Sequence, residues 1–503
     1  MPFFRAFQLD GNEAAKERIL GFWSYVVHRN AQSGDVVVSS TRRVRRHLPL
    51  IVIVLIAVVH GLFFIWYQRP DWNAEWTDQA GYKRLAEVLA TTGKFTRYPD
   101  ASEFIPEVIR TPVYPLFVAA IYKVAGRGQM PVALAQTALF ATICILVFGI
   151  VRRSAGERAA IAAAATTALF PPIPYFGALV LTEVWTTFAV TVSVWILIRA
   201  IDSRSTTSFA AAGVMLAVTA LSRPVFVLLP LAVVGMGIAA FPMAGVARRP
   251  ASFQWAVLLG AFAIVMLPWL AYNYVALGRV TISPAGGVGR SVWESQWQAT
   301  WSGRLQNELT LVAEAEEDRA QLDQRIGAIA EREHLPAEPM LEYVHQWQDI
   351  RRIWTAPTDP RERARARIAA DQEYLRVGLH NLERDSLSHL GRRLARNVFI
   401  LWAGEIPFRY SDINKLRPVV VHLVWAAQCV ICLVALMGLI ILFRAGRKVE
   451  ALLFSSVLLY VTAVHFPLFA EARLSLPAQP VVLLLASLTF NRKSIEDDAV
   501  RTK

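Results

Sequence analysis

The chain has 503 residues, 55% hydrophobic and 18% charged, and a formal net charge of +13 at pH 7. A soluble domain carries about 25% charged residues, so an ordinary soluble fold is excluded and an all-α polytopic membrane protein is expected. The positive charge does not read as a nucleic-acid surface, because Lys and Arg stand at the ends of apolar runs, as the inner loops of membrane proteins require. The lipid bilayer is an expected partner; nucleic acid is not.

Residues 1–47 read as a cytoplasmic tail, with an interfacial helix expected around 14–27. Residues 1–40 are mixed and polar, so no cleavable signal peptide is expected, and the first apolar run serves as an uncleaved anchor. Arg42, Arg43, Arg45 and Arg46 hold the start of that run, 48–67, on the inner side. An outer loop, 68–130, follows. A connection of roughly sixty residues is unusual between two spans. Within it, 111–125 is apolar but too short to cross, and reads as a helix at the outer interface. Further spans are expected at 131–151, 159–175, 181–201, 207–221, 225–241 and 253–277, completing a membrane core over 48–277. A second outer region, 278–414, is charged and helix-forming. Its stretch 308–333 carries both charge signs on most faces and reads as solvated helix. Spans at 418–443, 451–466 and 476–490 complete a C-terminal membrane region over 415–490, and 491–503 is a cytoplasmic tail. The result is ten spans with both termini inside, and basic residues mark nearly every inner end.

Several features read as structural. Cys144, Cys429 and Cys432 lie in apolar runs, and the C-x-x-C spelling of the last two lacks a soluble redox context. Asp100, Glu103 and Glu107 read as a solvated loop face, and Trp72, Trp76, Trp293 and Trp297 as an interfacial belt. The histidines show no metal-ligand spacing, so no metal site is expected; a divalent cation at Asp78 is allowed but not required.

Chemistry points to the first outer loop. Asp78 and Tyr82 are four residues apart, on one face of a helix. Glu183 stands at the outer mouth of a span, where an ionisable group is costly and functional by default. Arg110 lies near the membrane in the same loop. Two outer carboxylates and an arginine suit an anionic lipid head group and a hydroxyl acceptor.

These residues sit in ordered motifs. They are Asp78-x-x-x-Tyr82-x-x-x-Ala86, Thr92-Gly93-Lys94-Phe95, Arg110-Thr111-Pro112-x-Tyr114-Pro115, Leu181-Thr182-Glu183, Ser222-Arg223-Pro224, Pro268-Trp269-x-x-x-Asn273-Tyr274-x-x-x-Gly278 and Arg473-Leu474-Ser475-Leu476-Pro477-x-x-Pro480. Together they resemble the GT-C glycosyltransferases, in the branch of protein O-mannosyltransferases, lipid A aminoarabinose transferase and lipid A galacturonosyltransferases. The chain departs from that pattern at Leu474, where many relatives have an aromatic, and at Tyr272, where many have Arg. The resemblance implies a GT-C fold of about ten membrane helices and transfer of a sugar from a polyprenyl-phosphate donor to a glycan, lipid or protein acceptor. It implies Asp78 as base, Arg110 and Arg473 as donor-phosphate contacts, and Tyr82, Tyr114 and Glu183 as substrate-binding residues. It places the chain in a bacterial inner membrane with a periplasmic site and no cofactor. The rival expectation is a flippase for a lipid-linked saccharide or a non-catalytic envelope-assembly protein.

Overall fold

The computed structural model describes residues 34–73, 77–243, 252–316, 318–404 and 406–491. The interfacial helix expected around 14–27 and most of the tail after 490 lie outside the described residues. The chain divides into two units, Met1–Ile53 and Val54–Lys503, and every contact below lies within the second.

Every regular element among the described residues is helical. No water solvates a backbone inside hydrocarbon, so a spanning segment must satisfy its own N–H and C=O groups. The first span forms the second half of α1 (Gly34–Gln68). The long connection 68–130, expected on the outer side, folds into α2 (Thr77–Thr92) and α3 (Val113–Ala125). Then come α4 (Gln129–Leu169), α5 (Glu183–Ser203), α6 (Thr206–Ser222), α7 (Leu229–Met243) and α8 (Ser252–Leu277). Forty-one helical residues would reach about 60 Å, twice a bilayer core. The α4 run instead breaks at Gly156, whose φ of 79° suits glycine, and becomes the two expected spans. After the second outer region the chain returns through α15 (Pro418–Arg444), α16 (Lys448–His465) and α17 (Gln479–Leu488). Among the described residues six helices, counting the kinked α4 once, are long and apolar enough to cross a membrane. Three shorter apolar stretches, Thr206–Ser222, Pro224–Ala240 and Ala472–Leu488, match expected spans. The chain is thus an all-α polytopic membrane protein. α6 packs on α5 and α8, α17 on α4 and α15, and α7 on α16.

The second outer region corrects two expectations. It folds into α9 (Val288–Ser295), α10 (Gly303–Ala315), α11 (Arg319–Glu333), α12 (Ala337–Thr355), α13 (Pro360–Arg384) and α14 (Leu387–Phe399). The stretch 308–333 is not solvated on every face. Leu309, Ala313, Leu322, Ile326 and Ile329 are buried with Met340, Tyr343, Val344 and Trp347 in an apolar core of the layer's own. Trp293 and Trp297 belong to that core, not to an interfacial belt. Trp293 is fully buried and stacks on Tyr343, with ring centroids 4.9 Å apart.

Candidate functional site

The site is built on the start of α2. Asp78 lies in the helix's first turn, where the positive end of the helix dipole favours a carboxylate, and its side chain is 65% exposed. One turn later Tyr82 stands on the same face. Arg110 shows this directly, because its guanidinium touches both. Its Nη2 donates to the Asp78 carbonyl oxygen at 3.2 Å and lies 3.8 Å from the carboxylate. Its Cζ sits 4.6 Å over the Tyr82 ring. Gly81 makes this approach possible. A Cβ there would lie 2.2 Å from Arg110 Nη2, so any larger residue displaces the guanidinium. Arg110 is 8% exposed, and its Nε finds no hydrogen-bond partner among the described residues.

Glu107 aims Arg110, and the expectation of a solvated face, which holds for the exposed Asp100 and Glu103, fails at this residue. Glu107 is 2% exposed, and its Oε1 accepts the backbone N–H groups of Ile109 at 2.9 Å and Arg110 at 3.3 Å. Arg97 pairs with its other oxygen at 2.6 Å. The Pro268-Trp269-x-x-x-Asn273 motif braces the same loop from α8. Trp269 Nε1 donates to the Ile282 carbonyl at 2.8 Å and Asn273 Nδ2 to that of Thr281 at 2.6 Å. The segment thus fixed reaches back, with the Ala285 N–H donating to the Val108 carbonyl at 2.8 Å and the Ser283 hydroxyl to that of Ile109 at 2.5 Å.

Three glutamines hold the Glu183 loop. Gln136 Nε2 donates to the Gly177 and Leu179 carbonyls at 3.0 and 2.7 Å, and Gln129 Nε2 to that of Ala178 at 2.9 Å. Gln79, the neighbour of Asp78, accepts the Val180 N–H at 2.9 Å, so the two carboxylate-bearing segments are pinned together. Tyr114, fully buried, donates to Gln136 at 3.3 Å and meets Tyr82 edge-on, with centroids 5.0 Å apart. Glu183 begins α5, is 4% exposed, and its Oε2 has no hydrogen-bond partner among the described residues.

Of the six expected site residues, Asp78, Arg110, Tyr82 and Tyr114 are joined by direct contacts, and the loop before Glu183 is tied to them through Gln79 and Gln136. Tyr82 lies in the fields of Arg110, Asp78, Glu183 and Arg223, and Arg473 in those of Glu471, Glu183 and Asp78. Arg473 ion-pairs with Glu471. Burial pushes the Tyr82 phenol up to about 12, against the lowering effect of Arg110. The reading of residues missed Gly81, Gln79, Gln129, Gln136 and the structural role of Glu107. Arg223 was noted only as part of a motif, yet its Nη1 is buried without a hydrogen-bond partner among the described residues. No group of three or more metal-ligating side chains gathers among the described residues. The arrangement is a forked cation beside a solvent-facing carboxylate, with a buried carboxylate, Glu183, at the start of α5.

No curated protein matches the sequence. Among solved structures, the fold is similar to the archaeal oligosaccharyltransferase AglB from Archaeoglobus fulgidus in complex with an inhibitory peptide and a dolichol-phosphate. Identity is 14% over 89% of this chain and 50% of that one, with a TM-score of 0.49. It is also similar to ArnT from Cupriavidus metallidurans bound to undecaprenyl phosphate, at 13% identity over 88% of this chain and 77% of that one, with a TM-score of 0.39. The chain spans about half the length of AglB. Residues 109–272, which hold Arg110, Tyr114, Glu183 and Arg223, match the model of the dolichyl-phosphate-mannose-protein mannosyltransferase family.

Proposed function

We propose that the protein transfers a sugar from a polyprenyl-phosphate carrier to a glycan, lipid or protein acceptor at the outer, periplasmic face of a bacterial plasma membrane. One observation carries the reading. Arg110 is buried against Gly81 and Tyr82, its Nη2 lies 3.8 Å from the exposed carboxylate of Asp78, and its Nε has no hydrogen-bond partner among the described residues.

The chemistry follows from the two bonds that change. The acceptor O–H attacks C1 of the sugar, and its proton passes to the Asp78 carboxylate. The C1–O bond to the carrier phosphate breaks, and the electron pair leaves on that phosphate. A departing phosphate is a stable anion, so it needs a cation more than it needs an acid. Arg110 supplies a forked donor for it, and Arg473 adds a second positive charge. Glu183, whose Oε2 has no hydrogen-bond partner among the described residues, orients a hydroxyl of donor or acceptor. A single displacement inverts the anomeric centre, whereas retention would require Glu183 as nucleophile about 5 Å from Asp78. A monophosphate carrier leaves Arg110 and Arg473 able to balance the developing charge, so a metal is not required.

Binding of undecaprenyl phosphate, the departing half of such a donor, tests the reading without knowledge of the sugar. The Arg110→Gln protein is expected to bind it about tenfold more weakly or worse, the loss for a charge-assisted hydrogen bond. Unchanged binding would overturn the phosphate role.

A further inference from the structure

Along the outer layer, arginines face carboxylates. Arg319 pairs with Asp349 at 2.8 Å, Arg332 with Glu308 at 2.8 Å, and Arg376 with Glu373 at 2.6 Å. Arg279, just past the end of α8, and Arg365, on α13, have no such partner among the described residues. They line one cavity of about 400 Å³ with Leu277, Ile368 and Gln372, and no carboxylate stands in its walls. That volume lies within the range of small-molecule pockets.

The cavity has an apolar side and a lipid-facing approach. Leu277 ends α8, a span only 22% buried, with Ile264 68%, Leu267 58% and Val275 85% exposed. Such a surface faces lipid. Ile368 forms the other wall and packs with Ile105 and Val108 of the first outer loop. Arg361, one turn earlier on α13, ion-pairs with Glu103 of that loop. The cavity therefore shares its wall with the loop that carries Arg110.

Two guanidinium groups at one mouth repel each other unless an anion lies between them. Their forked donors match phosphate oxygens, and basic pockets beside membrane helices take anionic head groups. We propose that Arg279 and Arg365 hold the phosphate of an anionic lipid head group at the junction of α8 and α13. The apolar wall of Leu277 and Ile368 receives the start of its chains. This inference does not depend on the role of Asp78.

The test is lipid retention by the purified full chain, read by native mass spectrometry after exchange between phosphatidylglycerol and phosphatidylcholine. The wild-type protein is expected to prefer the anionic lipid by about tenfold, and R279Q/R365Q to lose that preference. R279K/R365K, which keeps both charges, and Arg304→Gln, an exposed outer-layer control, are expected to retain it. Asp78→Asn is also expected to retain it, which separates this site from the transferase reading. Equal retention of the two lipids by the wild type, an unchanged preference in R279Q/R365Q, or displacement of the lipid by an equal concentration of inorganic phosphate would overturn the proposal.

Discussion

Arg110 lies flat against the one residue of α2 that has no side chain. A methyl at Gly81 would meet the guanidinium at 2.2 to 2.6 Å. The contact is with the mobile end of a side chain, so Gly81→Ala is expected to spare the fold and move Arg110. Thermal unfolding should shift by less than about 1 kcal/mol, while undecaprenyl phosphate binding weakens about tenfold. Binding at the wild-type level would show that the guanidinium's seat does not matter. Tyr82 makes a pH prediction. Its phenol is raised to about 12, so it keeps its proton at every pH an assay reaches. Tyr82→Phe should leave the shape of the pH–activity profile unchanged up to about pH 10; a limb that moves would give Tyr82 a titrating role. Much at this scale was legible, because Asp78 and Tyr82 are one helical turn apart and Arg110 stands in a dense local motif. The glutamines were not. Gln79 meets a backbone 101 residues away and Gln136 meets carbonyls 41 and 43 residues away, and nothing local distinguishes them from other polar residues in apolar runs.

At the scale of elements, the segment before α15 is locked by a buried carboxylate that no motif announced. Asp412, 4% exposed, accepts from Tyr175, from Arg409 Nη2 at 2.8 Å and from Lys415 at 3.0 Å, and Arg409 Nη2 also donates to Gln68 at 2.5 Å. Burial raises its pKa, but the hydrogen bonds from Tyr175 and Lys415 and the field of Arg409 overcome it, and the net shift is downward. A carboxylate lowered in the folded state adds stability above the ordinary carboxylate range and loses it as pH falls through the folded value. Asp412→Asn should therefore cost about 3 kcal/mol at pH 7, with the gap to wild type narrowing below about pH 4. A gap that is constant with pH would show that charge is not the cause. The core of the outer layer was missed for a different reason. Leu322, Ile326, Ile329 and Ala330 follow helical spacing, but the charges around them outnumber them and hid the stripe.

For the whole chain, the order of helices was legible because apolar length marks the spans. The break at Gly156 separates the two runs expected in α4. Less legible was the joining of loops that are distant in sequence, since backbone carbonyls carry it and those are common to every residue. A displacement driven by Arg110 and Arg473 predicts that sugar transfer survives EDTA within about twofold; a loss restored by a divalent cation would reassign the charge balance to a metal.

The central claim, sugar transfer with Asp78 as base, is tested most directly in cells that lack their own copy of the gene. Wild-type and Asp78→Asn proteins would be supplied at equal membrane levels, and envelope glycans and glycolipids compared by mass spectrometry. The account predicts a product one sugar heavier with the wild type, reduced at least about a hundredfold with Asp78→Asn. The same product in equal amount from the variant would contradict it.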